Sequence, residues 1–378
     1  MRLLRLLVEA ANAAAGVEGG VIVPPVGRFD AVVRVPDGEL RPGLVNAHDH
    51  LHRNHYGRLG RPPYENAYDW GRDIHARDAE PIARGRALPR REALLRGAWK
   101  NLLSGVTTVV HHDRWEPEFD AGDFPLRVAR VRCAHSLGFE PELGAAGSGE
   151  GPFAVHLAEG VDGASAAEVR ELARRGLVTR DLLAVHAVGA DADGVRLMRD
   201  AGAAVVWCPS SNLFLFGRTA PAALLAPGAD VLLGSDSLLT ADGSLLDELR
   251  LARSLGLLSD ERLTSAVGET AARRLGLGPP SLDEGAAADL LVLRRPLLEA
   301  TVADVALVVA AGVPRVAEPE LASGALGPLW PRGRLVAAEG GARWVLGQSP
   351  ETRSGGGGGA VRSPRQETRP VSSLRMPR

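Results

Sequence analysis

The feature that most narrows the folds open to this chain is a repeated alternation of apolar runs with amphipathic helical patterns. The runs are VTTVV at 106–110, VARVRC at 128–133, FAVHL at 153–157, LLAVHAV at 182–188, AAVVWC at 203–208 and ADVLLGSD at 229–236. Between many of them lie helical patterns such as REALLRGAWKNLLSG, ASAAEVRELARRG and ADGVRLMRDAG, each closed by a glycine that accepts a left-handed C-cap. Strand-like runs that are apolar throughout, spaced by amphipathic helices, predict a parallel sheet covered by helices. In a closed α/β barrel the C-terminal strand ends share one rim, so His48, His50, His111, His112, His156, His186 and Asp236 converge on one opening. An open doubly wound sheet would commonly carry a Gly-rich phosphate loop, and neither GxGxxG nor a Walker-type run is present.

The expected fold is α/β: a TIM-like (β/α)8 barrel over 41–285 with an abbreviated fourth unit. Only some 20 residues separate Cys133 from Phe153, and SLGFEPELGAAGSGEG between them is Gly-rich, so the fourth strand is either degenerate or fused into this stretch. Residues 1–40 and 286–349 read as short strands that meet in one small β domain, built from both chain ends. Residues 350–378, with five consecutive glycines and many arginines, read as a disordered basic tail.

With 44 basic and 46 acidic residues, the chain has no positive excess to gather nucleic acid or an anionic membrane. No apolar run reaches the length of a membrane span. The segment MRLLRLLVEAANAAAG reads as non-targeting, because a strand-like Gly/Val/Pro segment follows it. Cys133 and Cys208 lack metal-ligand or CxxC spacing, which predicts a reducing, cytoplasmic setting without disulfides.

On a strand, the HxH spacing of His48 and His50 puts both imidazoles on one face, either around one divalent ion or capping the strand toward water. His52 and His55 lie beyond that strand. His156 ends FAVHL, with Glu159 three residues on, and His186 ends the next strand. Asp236 follows Gly234 beyond an apolar run; it either binds a metal and takes a proton from water or caps the next helix, for which Asp242 and Ser244 also qualify. Three imidazoles and a carboxylate around one ion would supply hydroxide at neutral pH.

The series PGLVNAHDH, HLAE, VHAVG, WCPSSN and LGSD resembles the amidohydrolase superfamily, in the branch of triazine chlorohydrolases and cytosine, guanine and adenosine-type deaminases, from about residue 40 to 310. The resemblance implies one divalent ion, Zn2+ or Fe2+, on His48, His50, His156 and Asp236. It implies Glu159 as proton shuttle, His186 against the attacking water or substrate, and a possible homodimer. The implied activity is hydrolysis of a non-peptide carbon-nitrogen bond of a small molecule by metal-bound hydroxide. The alternatives are deamination of a purine, pyrimidine or triazine-like heterocycle and a degenerate, non-catalytic binding protein. Lys100, the sole lysine, sits in a helical pattern and not on the fourth strand, where two-metal relatives carry a bridging lysine, so one metal is expected.

His111 and His112 either support a metal ligand from behind or pack in the rim. His135 reaches substrate if its strand points inward. Trp207, Asn212, Phe214 and Phe216 either hold a planar or apolar substrate or pack in core and loop. The stretch 52–74, HRNHYGRLGRPPYENAYDWGRDI, reads as a loop that covers the metal, with Arg53, Arg58 and Arg61 available to a carboxylate.

Overall fold

The computed structural model describes residues 4–143, 149–327, 329–330, 332–338 and 340–347. Strands β1 (Arg5–Ala10), β2 (Ala14–Glu18), β3 (Val21–Val23) and β4 (Ala31–Val35) form a sheet of order β3-β2-β1-β4, in which β1 and β4 run parallel. Strand period puts Leu6 and Val8, with Val33 and Val35, on one buried face. From there β5 (Glu39–Pro42) passes to a different sheet, and the chain enters the barrel.

The barrel strands are β6 (Leu44–Asp49), β7 (Val106–His111), β8 (Arg127–Val128), β9 (Arg132–Ser136), β10 (Phe153–Leu157), β11 (Leu182–His186), β12 (Ala204–Trp207) and β13 (Val231–Leu233). Every ladder among them is parallel. Ala154, Leu183, Val185, Val206 and Leu232 fill the interior, while their neighbours Val155, Ala184, Val205 and Leu233 pack outward with the main core. Both faces are buried, which is why the runs are apolar throughout.

The abbreviated region takes a definite form. Strand β8 pairs with β7 and β9 pairs with β10, all in one direction, and only residues 129–131 lie between β8 and β9. Starting a separate parallel stave needs a crossover of about a dozen residues, and three residues reach only about 10 Å. Residues 127–136 are therefore one bent stave that serves both neighbours, standing where third and fourth units would be. Among the described residues no helix separates Ser136 from Phe153.

The segment between β6 and β7 departs from the loop expected there. Asn66 accepts from the Asp69 amide and starts α1 (Ala67–Arg77), which α2 (Ala79–Arg86) and α3 (Arg90–Leu103) follow. Helix α3 buries Leu94, Leu95, Ala98 and Leu102 against the barrel, the stripe that its sequence period dictates. Helices α4 (Gly163–Arg174) and α5 (Ala192–Asp200) are capped by Asp162 and Asp191 and return the chain to β11 and β12. The chain continues through α6 (Pro209–Phe216) and α7 (Ala222–Leu225) to β13, then α8 (Leu245–Leu255), α9 (Asp260–Ala266) and α10 (Glu269–Arg274). Ser244 caps α8 in a capping box with Asp247, which leaves Asp236 without cap duty.

The C-terminal strands β14 (Leu290–Leu293), β15 (Val305–Ala310), β16 (Val313–Ala317), β17 (Arg334–Ala338) and β18 (Gly341–Val345) join β5 in an antiparallel sheet of order β17-β18-β16-β15-β14-β5. Leu290, Val292, Leu307 and Val309 pack against the first sheet, so both chain ends share one small core, as expected. The proposed basic tail at 350–378 lies outside the described residues. No helix among those described is long and apolar enough to cross a membrane.

Gly97 is what lets α3 touch the turn after β6. A Cβ there would lie 2.3 Å from the Leu51 carbonyl oxygen and 2.5 Å from its Cα, and backbone cannot yield as a side chain can. We expect Gly97→Ala to destabilise the fold by about 1–3 kcal/mol, read as a lower urea midpoint at an unchanged m-value.

Candidate metal centre and active site

At the rim the backbone breaks the strand pattern so that the polar side chains turn into one opening. Val45 and Ala47 belong to the interior cluster, and the ladder to β7 shifts register between Asn46 and Asp49. His48 and His50 thereby both enter the site, while Asp49 bonds to Asn101 on α3. Alternation along β11 would aim His186 outward with Leu182 and Ala184, but its φ of 69°, followed by 52° at Ala187, breaks the alternation. Asp236 likewise has a φ of 48°. Such left-handed backbone in non-glycine residues is strained and clusters at functional sites.

The ligand atoms of His48, His50 and His156 all lie within 4.8 Å of one another, as do those of His48, His186 and Asp236 and those of His156, Glu159 and His186. The His50 and His156 Nε2 atoms are 3.3 Å apart, and Asp236 Oδ1 is 3.6 Å from His48 Nε2 and 3.9 Å from His50 Nε2.

Hydrogen bonds behind the rings set their tautomers. His112 Nε2 donates to the Ala134 carbonyl at 2.8 Å, so its Nδ1 accepts from His48 Nδ1 at 3.1 Å. That leaves His48 Nε2 as a bare lone pair, fully buried and without a hydrogen-bond partner. His156 Nδ1 donates to the His135 carbonyl at 2.6 Å, and His186 Nδ1 donates to Asn212 Oδ1 at 2.8 Å, so their Nε2 lone pairs also face the opening.

Burial pushes His48, His50, His112 and His156 below the ordinary imidazole range and keeps them neutral. Burial also pushes the Glu159 carboxyl up to about 7, against the pull of His186 at 3.5 Å. Asp236 is buried, and its oxygens accept from the Ser237 amide at 2.7 Å and Thr240 Oγ1 at 2.9 Å, bonds that favour the carboxylate.

This donor set fits a divalent ion. Two nitrogens bound at about 2.0–2.1 Å to one tetrahedral ion lie about 3.3 Å apart, close to the separations above. A buried acceptor facing other acceptors, with no proton to share, is costly unless a cation sits among them.

A cavity of about 1230 Å³ opens over these groups, with His50, His156, Glu159, His186 and Asp236 at its floor. Tyr68, Trp70, Ile74 and Ile82 from α1 and α2 form its walls, with Tyr56 from the preceding loop and Arg53, His52, His55, His135 and Phe139. His135 thus reaches the cavity as its strand direction allowed. His111 does not: its Nδ1 accepts from the Leu51 amide at 3.2 Å, and its ring packs edge-on against His52 and Phe119. Trp207 is fully buried in the main core, with Nε1 on Thr219, and Phe216 packs with Val188 and Leu215. Phe214 lies under the Arg58 guanidinium, which pairs with Asp242. Trp207, Phe214 and Phe216 therefore serve packing and do not line the cavity; Asn212 orients His186. Arg61 pairs with Asp78.

Sequence reading passed over a polar layer beneath the rim: Asn46, Asn54, Lys100, Asn101 and Ser235, all bonded around Asp49 or Asp236. One signal was present, since Asn101 falls on the buried stripe of α3 where the period calls for an apolar residue.

No family model matches the chain. Over 176 residues it is 30% identical to a 5-methylthioadenosine/S-adenosylhomocysteine deaminase of Pyrococcus furiosus, a stretch that is 39% of this chain and 40% of that protein. It is 35% identical over 128 residues to the protein of the same name from Halobacterium salinarum, covering 31% of this chain and 30% of that one. The matches thus span well under half of the length of these curated relatives. An adenosine deaminase of Xanthomonas campestris, solved with bound zinc, superposes with a TM-score of 0.63 at 20% identity, over 84% of this chain and 94% of that one. A mutant atrazine chlorohydrolase of Arthrobacter aurescens, solved with zinc and atraton, gives 0.65 at 19% identity, over 83% and 96%. The chain is thus similar in fold to these solved structures, and similar in sequence to the curated relatives over less than half of their length.

Proposed function

We propose that this chain is a metal-dependent hydrolase that cleaves a non-peptide carbon-nitrogen bond of a small molecule, with His48, His50, His156 and Asp236 holding one zinc or ferrous ion. The observation that carries this reading is the buried, partnerless His48 Nε2, aimed by His112 at the nitrogens and carboxylate around it. When bound, the ion supplies Lewis acidity and acidifies water to a nucleophile at neutral pH. Imidazole and carboxylate donors suit either metal.

The other roles follow from protonation states. Asp236 stays ionised, with both oxygens steadied by Ser237 and Thr240, and accepts the proton that attacking water releases. Glu159, poised near neutrality, holds a proton beside His186 Nε2 and passes it to the departing nitrogen. His186, locked by Asn212, turns its Nε2 lone pair toward the attacking water and orients it by accepting one of its hydrogens. The walls exclude water and offer ring faces to a substrate larger than a single ring, with Arg53 available to an acidic substituent.

Release of ammonia from an aminated heterocycle is the favoured form of this reaction, because the curated relatives are deaminases. Opening of an amide or lactam needs the same groups with a different leaving group. The cytoplasmic setting is part of the proposal, supported by two unpaired cysteines. The homodimer rests on the resemblance, and light scattering on the purified chain tests it.

Mass spectrometric metal analysis of protein purified without added metal should find about one equivalent of zinc or iron, lost in His156→Ala; a wild-type chain that is metal-free and refuses zinc would falsify the proposal. His112→Phe should weaken zinc about 10- to 100-fold by releasing the His48 tautomer, measured by competition with a chromogenic chelator. Glu159→Gln should keep its metal and lose about 10²- to 10⁴-fold in kcat, measured as ammonia released from whichever aminated heterocycle the wild type turns over.

A further inference from the structure

We propose that Lys100 is a positioning residue, whose ammonium holds the two sides of the metal site in register where the barrel lacks a strand ladder. The inference rests on the metal site proposed above and extends it to a residue that touches neither metal nor substrate. Strands β13 and β6 stand at the ends of separate sheets, so no ladder closes the barrel between them. Two of the four ligands, His48 and His50, lie on one side of that seam and Asp236 on the other. The seam is bridged by the Asp236 amide on the His48 carbonyl at 3.0 Å, by the Ser235 amide on Asn46 Oδ1 at 3.1 Å and by Asn46 Nδ2 on Ser235 Oγ at 2.8 Å.

Beneath it lies the Lys100 side chain, 9% exposed. Its ammonium has three protons and three acceptors. They are the Asp236 carbonyl oxygen at 2.7 Å, Asn54 Oδ1 at 3.0 Å and Asp49 Oδ2 at 3.2 Å. Asp49 stands between His48 and His50 in sequence and is fully buried, and Asn54 Oδ1 also accepts from the Leu238 amide beyond Asp236. One cation therefore grips the backbone of one ligand, Asp236, the residue between two others, His48 and His50, and, through Asn54, the loop that follows Asp236. The Asp236 carbonyl needs such a grip, since a φ of 48° is a conformation an aspartate keeps only when its surroundings impose it. An arginine cannot replace the lysine, because a planar fork does not reach three acceptors spread around a point.

The test is cobalt binding, followed by the visible ligand-field spectrum and by chelator competition, in the full chain as wild type, K100M, D49N and D49N/K100M. The double variant leaves no uncompensated buried carboxylate, so it separates charge balance from positioning and covers the case in which K100M alone does not fold. We expect K100M and the double variant to bind cobalt about 10- to 100-fold more weakly than wild type and D49N, with an altered spectrum. Wild-type affinity and spectrum in the double variant would make Lys100 a counter-ion only and overturn the proposal. A wild-type chain that binds no cobalt would instead overturn the metal site, and this assignment with it. As the chain has one lysine, a sample labelled at lysine 13Cε gives a single side-chain resonance. It should shift on addition of one equivalent of zinc to the unmodified protein, and an unmoved resonance counts against the coupling.

Discussion

The buried row of hydrogen bonds from the Ala134 carbonyl through His112 to His48 is the interaction on which the centre depends. It commits His48 to one tautomer and leaves a lone pair where water cannot reach. The same device recurs at His156, through the His135 carbonyl, and at His186, through Asn212. Each ring has its proton turned away from the opening, so several acceptors face one another across it. An arrangement of that kind is costly in a low-dielectric site unless a cation completes it, and burial ensures that protonation of the rings does not supply that cation.

Those acceptors stay aimed because the elements around them are rigid and closely fitted. Gly97 brings α3 against the turn that follows the first histidine pair, and the polar layer on α3 locks that turn to the segment after β13 that bears Asp236. Above the rim, α1 and α2 wall a cavity that contains the chemistry, and Asn66 both caps α1 and bonds to Asp162, the cap of α4. The walls are thus tied to the helix layer of the barrel.

The barrel accommodates the loss of a complete unit because residues 127–136 pair on both edges. A bent stave can lean on one neighbour at its start and the other at its end, and the His112 bond to Ala134 links this stave directly to the rim histidines. The abbreviation therefore does not remove anything from the floor of the site. Among the described residues between Ser136 and Phe153 there is no helical cover, and Phe139 and His135 line the cavity there.

From the sequence alone the strands, their parallel arrangement, the shared rim and the polar residues at the strand ends were legible, because these are consequences of local period. Apolar runs state burial on both faces, and a polar residue at the end of such a run is placed by the direction of the strand. The tertiary structure alone decided what depends on contacts between distant segments. It turned His48 and His186 against the alternation of their strands, sent His111 behind the site, and drew Trp207, Phe214 and Phe216 into packing. It made helices of part of a stretch that read as loop. It also gave Lys100 its place, since nothing within a helix period states that an ammonium will meet a carbonyl 136 residues away. Local sequence sets which face of an element is buried; the protonation and aim of a buried polar group are set by the groups that other elements bring to it.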